Sequence, residues 1–309
     1  MNLVKNKNKE RWLFVVNSVA GRGKTGKILG DLVLLLNKFN FDYEMEITKA
    51  PKHATELTCE YIKKGFRKIV AVGGDGTINE VINGIVKSGK EDKIRFGILP
   101  EGGGNDFSRN FHMTSNLEKD LKILLQDYTR EIDVGKIEDT FFINALGLGF
   151  DAEVAENSNK IRYLNGLPRY ILAIIKTLFK LKPRKINIEL DDKKIELAVL
   201  LISVGNGLST GGGFLLTPHA LVDDGYFDIC IIRSVSIFRL LKLLPTVLKG
   251  EHINYPEVQI LHSKKINIKT DKPLPIYYDG ELPKLKNPLD FTIEMLPRRI
   301  KLFCEQIPL

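Results

Sequence analysis

The sequence predicts a two-domain protein, in which an α/β domain with a doubly wound parallel sheet precedes a mainly antiparallel β domain. Its 309 residues suit two domains at roughly 150 residues each. Strand-like and helix-like segments alternate over the first third, whereas short strand-like runs dominate from about Arg130 onward. We therefore divide the chain into 1–131, 132–296 and a C-terminal segment, 297–309, in which Arg299–Cys304 is a candidate strand that returns to the first domain.

The first domain contains four strand patterns, three of which are followed by helical patterns. Strands that alternate with helices of this length favour a parallel sheet covered on both faces. A ligand of such a sheet is expected beyond the carboxyl ends of the strands. The predicted strands are Arg11–Asn17, Tyr43–Ile47, Lys68–Val72 and Ile94–Leu99, and the predicted helices are Thr25–Phe39, Lys52–Lys64 and Thr77–Lys87.

The second domain is predicted from a series of short runs with strand-like composition, which favours an antiparallel arrangement. Two helical stretches, Tyr163–Leu181 and Ser236–Lys249, interrupt these runs. The strand candidates are Phe141–Leu146, Lys185–Leu190, Ile195–Val204, Tyr226–Ile232, Glu257–Leu261, Lys264–Lys269, Leu274–Tyr278 and Leu289–Glu294.

The composition restricts the class of protein. Hydrophobic residues make up 43% and charged residues 27% of the chain, which excludes general disorder. Apolar runs fall short of the ~18–20 residues of a membrane span and of the apolar part of an export signal, so we expect a cytoplasmic protein. Cys59, Cys230 and Cys304 are too far apart to indicate a zinc or disulfide framework, and we expect them in the core.

The net charge of +8 favours an anionic partner such as a nucleotide, a nucleic acid or an acidic membrane surface. Charge alone does not choose among these. The chain shows no basic module interleaved with aromatic residues, so we expect no nucleic-acid partner.

Glycine-rich turns follow three of the four predicted strands. They contain Gly21, Gly23 and Gly26, then Gly73, Gly74 and Gly76, and finally Gly102–Gly104. One such turn would be explained by the tight geometry of βα connections. Three turns at one edge of a sheet predict a backbone cradle for phosphates instead.

The first glycine turn resembles two common motifs without matching their chemistry. It fits the dinucleotide pattern GxGxxG but carries Arg22 and Lys24 inside the loop, and a Walker A loop would need glycine in place of Ser18. What remains is a cationic turn suited to polyphosphate, in which Arg22 and Lys24 are the predicted phosphate contacts.

The second glycine turn places Asp75 between glycines at a strand end, with Thr77 and Asn79 opening the next helix. A helix N-terminus favours anions, and Asp75 could organise the Mg²⁺ of a bound nucleotide. The alternative is a capping turn, in which Asp75 or Thr77 satisfies helix N–H groups only.

This second turn, GGDGT followed by Asn79 and Glu80, resembles the nucleotide loop of the diacylglycerol kinase catalytic family, which NAD kinases and 6-phosphofructokinases share more distantly. Later segments resemble that family in the same order, and the match, from Trp12 to about Leu302, is closest to soluble bacterial diacylglycerol kinases. These segments are Leu99–Arg109, Thr217–Asp228 and Tyr278–Glu281.

The resemblance implies a β-sandwich as the second domain, an active site in the cleft between the domains, and ATP and Mg²⁺ as cofactors. Many relatives have a threonine at the position of Gly103 that contacts the nucleotide, and backbone N–H groups would have to replace it here. The implied nucleotide residues are Asn17, Ser18, Val19, Ala20, Gly21, Thr48, Gly74, Asp75, Gly76, Thr77, Ile78, Asn79, Glu80 and Gly103.

The resemblance also implies a general base and a structural metal site. Glu281 would accept the proton of the lipid hydroxyl. A structural Mg²⁺ would be held by the Leu221 carbonyl, the Asp224 carboxylate and the Tyr226 carbonyl, with Asp223 beside them. From the residues alone, both segments would also fit ordinary turns.

The function predicted on these grounds is that of a lipid kinase, which transfers the γ-phosphate of ATP to diacylglycerol, giving phosphatidic acid, or to a related lipid alcohol. The alternatives are an NAD kinase-like enzyme and a non-catalytic nucleotide- or lipid-binding regulator. The basic amphipathic stretches Tyr170–Lys182 and Ile237–Lys249 suggest peripheral contact with the anionic inner membrane surface, although ordinary surface packing would also explain them. An exposed strand edge would allow a homodimer.

Overall fold

The computed structural model describes residues 10–111, 113, 115–161, 163–164, 166–178, 184–279, 281–283 and 285–306. The chain divides into two compact units. The first unit runs to Gly102, resumes at Met113–Glu131 and takes the C-terminal residues from Ile300. The second unit contains the segment that starts at Gly103 and the long stretch Ile132–Arg299.

The described strands, in chain order, are β1 Trp12–Val16, β2 Tyr43–Ile47, β3 Lys68–Gly73, β4 Arg95–Pro100, β5 Thr129–Ile137, β6 Thr140–Phe142, β7 Ala145–Gly149, β8 Arg184–Glu189, β9 Lys194–Gly205, β10 Phe227–Arg233, β11 Val258–Ser263, β12 Lys265–Thr270, β13 Ile276–Tyr278 and β14 Asp290–Phe303. The described α-helices are α1 Ala20–Lys27, α2 Leu29–Lys38, α3 His53–Lys63, α4 Asp75–Lys87, α5 Leu117–Leu125, α6 Phe150–Lys160, α7 Gly166–Leu178 and α8 Ile237–Val247. Short 3₁₀ helices lie at Glu91–Lys93, Phe107–Phe111 and Glu251–Asn254.

The first unit is built on a parallel sheet, as the alternating pattern predicts. β1 pairs in parallel with β2 and β3, and β3 pairs in parallel with β4. The sheet is extended beside β4 by the end of β14, where Lys301 and Leu302 pair in parallel with Arg95 and Phe96. β1 is buried along its whole length because both faces of the sheet are covered.

The predicted helix Thr25–Phe39 is wrong as a single element. The structure has two helices, α1 and α2, which meet at Ile28. Inside α1, Gly21, Arg22 and Gly23 have φ values of 57°, 61° and 83°, so the first turn of this segment is a left-handed loop rather than a helix. Glycine adopts such angles without strain, which explains why the regular helix begins only after the loop.

The second unit is antiparallel, again as predicted. β9 is its central strand and pairs with β7, β8 and β10, while β11 extends the sheet beyond β10. β12 pairs with β8 and with β14, and β13 pairs with β7. One apolar cluster fills the interior, and the rings of Phe142 and Phe227 stack there with centroids 5.7 Å apart.

Some elements of the second unit differ from the prediction. The predicted strand Phe141–Leu146 is two strands, β6 and β7, because the backbone at Ile143 and Asn144 turns to bind a carboxylate described below. The helix predicted at Tyr163–Leu181 is α7, and residues 165 and 179–181 of that prediction lie outside the described residues.

The helices of the second unit pack on an apolar cluster of their own. α6, α7 and α8 bury Val154, Ile174 and Leu240 in it, together with residues from β9 and β10. Among the described residues, no helix combines the length and the apolar character required to cross a membrane.

Candidate functional site

The structure brings the first and second glycine turns together at the carboxyl ends of β1 and β3. The Asn17 side-chain amide donates a hydrogen bond to Oγ1 of Thr77 at 3.0 Å, and its Oδ1 accepts from the Val19 N–H at 3.2 Å. The backbone N–H of Asn17 also bonds to the Val72 carbonyl at 3.0 Å. Asn17 therefore shapes its own turn and fastens it to the start of α4.

The start of the third glycine turn lies against the other two. A Cβ atom on Gly21 would lie 2.6 Å from the carbonyl oxygen of Glu101, at a φ of 57°, so only glycine fits there. The Thr25 hydroxyl donates to that same carbonyl at 3.1 Å. A Cβ atom on Gly74 would lie 3.0 Å from Cα of Gly102. The turns after β1, β3 and β4 thus form one surface of closely approaching backbone.

The cation Lys24 has an acidic partner within this surface. Its Nζ lies 3.0 Å from Oε2 of Glu101, whose side chain is almost fully buried. Arg22 is exposed on the same turn. Behind Glu101 lies a second buried carboxylic acid, Asp120 of α5. Burial raises the pKa of Asp120 to about 6, and the charge of Glu101 acts in the same direction.

The start of α4 presents backbone rather than side chains. Gly74 precedes the helix in an extended conformation, and the helix begins at Asp75. Ile78 and Asn79 are buried, and Oδ1 of Asn79 accepts a hydrogen bond from the Asn83 amide at 2.8 Å. We conclude that the side chains of Ile78 and Asn79 serve the packing of α4, so any contact of this segment with an anion relies on backbone N–H groups near Asp75 and Gly76.

Glu80 has a structural task that the sequence did not reveal. Its carboxylate accepts the N–H groups of Lys52 and Ala54 at 2.9 and 3.1 Å and so caps the start of α3. Lys52 is in the left-handed region, with a φ of 70°, which leaves these N–H groups pointing at the carboxylate.

The remaining residues predicted to bind a nucleotide lie around the ends of β1 and β2. Thr48 follows β2, and its N–H bonds to the Val16 carbonyl at 2.8 Å. The Ser18 carbonyl accepts the N–H of Gly26 at 3.0 Å, Val19 is exposed, and Ala20 begins α1.

The segment that begins at Gly103 belongs to the second unit. Asp106 is buried and accepts hydrogen bonds from the Ser209 hydroxyl at 3.0 Å and the Gly212 N–H at 2.7 Å. Oδ1 of Asn110 accepts the Leu208 N–H at 3.0 Å. This segment therefore fixes the loop after β9. Gly103 itself is exposed, and a Cβ atom there would come no closer than 3.9 Å to another described atom, the Gly166 nitrogen.

Glu281, the predicted base, lies in a short turn after β13 in the second unit. Its N–H and carbonyl both bond to the backbone of Tyr278, and the Tyr278 hydroxyl donates to its Oε2 at 3.3 Å. Burial raises the pKa of Tyr278, and the charge of Glu281 raises it further, so the tyrosine stays a neutral donor. Gly280 lies outside the described residues.

Asp279 anchors this turn and was not singled out by the sequence. Its buried carboxylate accepts the N–H groups of Ile143 at 2.6 Å, Asn144 at 3.2 Å and Ala145 at 3.0 Å. Asp279 has a φ of 38°, a conformation that these contacts hold in place. A one-residue spacing thus separates a structural carboxylate from the half-buried Glu281.

The predicted metal-binding turn is held by another buried carboxylate. Asp133 accepts the N–H groups of Gly225 at 2.6 Å and Arg298 at 2.7 Å. Burial raises the pKa of Asp133, and the charges of Asp224 and Asp223 act in the same direction against those two hydrogen bonds. The turn therefore gathers negative charge that a cation would offset.

The donors proposed for this turn fit Mg²⁺ chemically. Two backbone carbonyls, of Leu221 and Tyr226, and the exposed Asp224 carboxylate are all oxygen donors, which Mg²⁺ prefers. Asp224 also accepts the Tyr226 N–H at 2.9 Å, which orders the turn. Within the described part of the chain, no group of three or more His, Cys, Asp and Glu side chains is placed to hold a metal, so a site here depends on the carbonyls.

An apolar cavity lies among the helices of the second unit. Water-sized molecules have about 50 Å³ of space within it. Asp151 contributes a carboxyl group that accepts the Tyr170 hydroxyl at 2.8 Å, and burial raises the pKa of Asp151 to about 6. The other lining residues are Phe150, Val154, Ile174, Leu201, Phe214, Leu216, Ile232, Leu240, Leu243, Leu244 and Val247.

Both parts of the chain match known families. Residues 11–137 match the diacylglycerol kinase catalytic domain, and residues 144–304 match the YegS C-terminal NAD kinase beta sandwich-like domain. A relative from Staphylococcus carnosus (strain TM300), named diacylglycerol kinase, is 28% identical over 274 residues, which cover 88% of this chain and 89% of the relative.

Two crystal structures from Bacillus anthracis str. Sterne are similar to this chain along nearly its whole length. One, of a candidate diacylglycerol kinase, has a TM-score of 0.79 at 26% identity and covers 99% of each chain. The other, of a diacylglycerol kinase, has a TM-score of 0.77 at 27% identity and covers 96% of this chain and 97% of that one. Sequence and backbone thus resemble the same group of proteins.

Proposed function

Because this chain belongs to the diacylglycerol kinase catalytic-domain family, we propose that it is an ATP- and Mg²⁺-dependent lipid kinase that phosphorylates the hydroxyl of diacylglycerol or a related lipid alcohol. The observation that carries the proposal is the convergence of three glycine turns at the carboxyl end of one parallel sheet. Such a surface suits a nucleotide polyphosphate, because it offers N–H groups and admits close approach.

The phosphates of ATP are bound, in this proposal, by the backbone of the turns and by the cations of the first turn. The start of α4 supplies N–H groups and the positive end of a helix dipole. Arg22 and Lys24 supply charge, and Asp75 organises the metal that accompanies the nucleotide. Bound Mg²⁺ would neutralise charge on the phosphates. Gly103 contributes backbone only, where many relatives have a threonine side chain.

At the γ-phosphorus the transfer forms one bond and breaks one, and one proton moves. The oxygen of the lipid hydroxyl attacks the γ-phosphorus, the bond from that phosphorus to the β–γ bridging oxygen breaks, and ADP leaves with the bond's electrons. The hydroxyl proton passes to the carboxylate of Glu281. The backbone bonds to Tyr278 and the anchor at Asp279 support this role, because they hold the turn of Glu281 in one conformation.

A structural Mg²⁺ completes the proposal for the second unit. The Leu221 carbonyl, the Asp224 carboxylate and the Tyr226 carbonyl would hold it, and its charge would offset the negative charge around Asp133.

The apolar cavity of the same unit supports a lipid acceptor, because nearly all of its lining side chains are apolar.

The first experiment is transfer of radiolabelled γ-phosphate from ATP and Mg²⁺ into a panel of lipids in mixed micelles, with NAD in a parallel reaction. We expect label in diacylglycerol, recovered as phosphatidic acid. Label in another lipid alcohol would keep the mechanism and change the substrate. Label only in NAD would show that the protein is an NAD kinase and not a lipid kinase. Label in neither would favour a binding protein without turnover.

The assignment of the base is tested with Glu281→Gln. We expect lipid phosphorylation to fall by about 10²–10⁴-fold, the usual contribution of a general base, while ATP binding measured by calorimetry is unchanged. The matched control is Glu294→Gln, which removes an exposed carboxylate of the same unit. Normal transfer by Glu281→Gln would show that another group takes the proton.

A further inference from the structure

Helix α8 exposes a group of large apolar side chains. Phe238 is 80% exposed and Leu241 is 45% exposed, and Ile237 beside them is also exposed. Phe238 and Leu241 are three residues apart, so both lie on the outer face of the helix. Exposed apolar side chains that cluster on one element mark interaction surfaces, whereas single ones are ordinary.

The charged side chains of helix α8 itself are all positive. The range of α8 contains no acidic residue, and Lys242 and Lys249 are exposed on or directly after the helix. The charge of Arg239 is balanced, because its guanidinium donates hydrogen bonds to the Glu257 carboxylate at 2.7 and 3.0 Å. The two lysines therefore give the apolar face a positive margin. Lysines can keep their charge at a polar boundary while apolar neighbours enter a less polar medium.

The opposite face of α8 lines the apolar cavity of the second unit. Leu240, Leu243, Leu244 and Val247 all contact that space. One helix thus has an exposed apolar face with cations on one side and the wall of an apolar cavity on the other. The exposed face favours an anionic lipid surface as the occupant over a protein partner, because its lysines complement lipid phosphates while its apolar side chains suit the headgroup boundary.

We propose that α8 is the surface by which this protein docks on an anionic lipid bilayer. Phe238 and Leu241 enter the headgroup region, and Lys242 and Lys249 contact lipid phosphates. This proposal rests on the proposed lipid-kinase function, which gives the protein a reason to bind a bilayer. Docking is nevertheless measurable without ATP, so the two ideas can fail separately.

The test is co-sedimentation of the full chain with phosphatidylglycerol–phosphatidylcholine vesicles in the absence of nucleotide. Leu241→Asp is compared with Leu125→Asp, because Leu125 ends helix α5 with a nearly identical exposure of 44%. We expect Leu241→Asp to weaken vesicle binding about tenfold or more and Leu125→Asp to leave it unchanged. Phe238→Ser should act like Leu241→Asp.

The electrostatic part is tested with Lys242→Gln and Lys249→Gln. Each should weaken binding to the anionic vesicles about fivefold and have little effect on vesicles of phosphatidylcholine alone. Equal binding by the Leu241 and Leu125 variants would overturn the proposal. So would conversion of a dimer to a monomer by Leu241→Asp in gel filtration, since α8 would then be a contact between copies of the chain. Vesicle binding by a protein that phosphorylates no lipid would keep the docking surface and refute the kinase.

Discussion

The pair formed by Lys24 and Glu101 joins an exposed cation of the first glycine turn to a carboxylate that is 3% exposed. Besides the role in phosphate binding that we propose for it, Lys24 therefore compensates a buried charge. Removal of one member of a buried pair leaves the other uncompensated, which costs more than removal of both. Because of this difference, a double substitution at the pair can separate the contribution of Lys24 to stability from its proposed contribution to nucleotide binding.

We predict that Lys24→Ala lowers the free energy of unfolding by about 1–2 kcal/mol, less than for a fully buried pair because Lys24 is half exposed. Lys24→Ala combined with Glu101→Gln should regain that stability but not the affinity for ATP. Urea denaturation and calorimetric ATP titration measure the two effects. Lys27→Ala, an exposed lysine of the same helix, is the control. Recovery of ATP affinity in the double variant would remove Lys24 from the phosphate site.

Asp120 makes stability depend on pH. Burial, followed by the charge of Glu101, raises the pKa of Asp120 from 3.8 to about 6. The folded state thus binds this proton more tightly than the unfolded state, and the stabilisation is complete below about pH 4 and lost as the pH rises through about 6. At neutral pH the folded protein holds a buried, ionised carboxylate.

We predict that Asp120→Asn raises the free energy of unfolding by about 1–3 kcal/mol near pH 7.5 and that the gain shrinks toward zero near pH 4. Urea denaturation across that range measures it. Glu118→Gln alters an exposed carboxylate of the same helix, where lysines lower the pKa, and should give no gain at neutral pH. A gain for Asp120→Asn that is independent of pH would show that packing, not ionisation, is responsible.

At the scale of elements, the strands of the first unit follow from the sequence almost residue by residue. β1 and β3 are short continuous apolar runs, which a sheet buried on both faces requires. Helices were harder. α6 was missed because its buried face includes Asp151 and Ser158, which conceal the apolar spacing. The glycine loop was correctly predicted to come before the helix. The break between α1 and α2 at Ile28 was not, because it depends on backbone angles that composition does not encode.

In the candidate site, too, some features could be predicted from the sequence and others could not. The glycine positions predict where backbone must approach closely, and Gly21 and Gly74 do so. The tasks of the carboxylates were not predictable, because each depends on a partner distant in sequence. Glu80 caps α3, whereas Asp106 and Asp279 anchor loops. Asp279 and Glu281 lie one residue apart, and only the folded chain shows that Asp279 is the carboxylate that anchors a loop.

The turn Leu221–Tyr226 gives a prediction at this scale. In the absence of nucleotide, Mg²⁺ should raise the unfolding temperature of the protein, by an amount equivalent to about 1.4 kcal/mol at ten times its dissociation constant. Asp224→Asn should abolish this rise, while Asp271→Asn, in another exposed turn, should keep it. An equal rise in the Asp224 variant would place the cation elsewhere.

At the scale of the whole molecule, the chain completes its first unit last. The residues from Ile300 belong to that unit although more than 160 residues of the second unit precede them. Ile300, Leu302 and Phe303 are buried, and the Phe303 ring lies 5.2 Å from that of Trp12, measured between centroids. The parallel sheet of the first unit is therefore incomplete beside β4 without Lys301 and Leu302. The first unit thus depends on a segment that is distant in sequence.

We predict that a chain ended after Arg299 loses the stable fold of its first unit. Burial of each of the three large apolar side chains that it lacks contributes about 1.5–3 kcal/mol, and together they approach the total stability of ~5–15 kcal/mol of a typical domain. Trp12 is the one tryptophan of the sequence, so its fluorescence reports directly on this core during urea denaturation. A chain ended after Glu305 keeps the strand and should unfold like the full chain. Phe303→Ala should lie between them, with a loss of about 3–5 kcal/mol. If the chain ended after Arg299 unfolded at the urea concentration of the full chain, the strand would be an accessory to the first unit and not part of what holds it together.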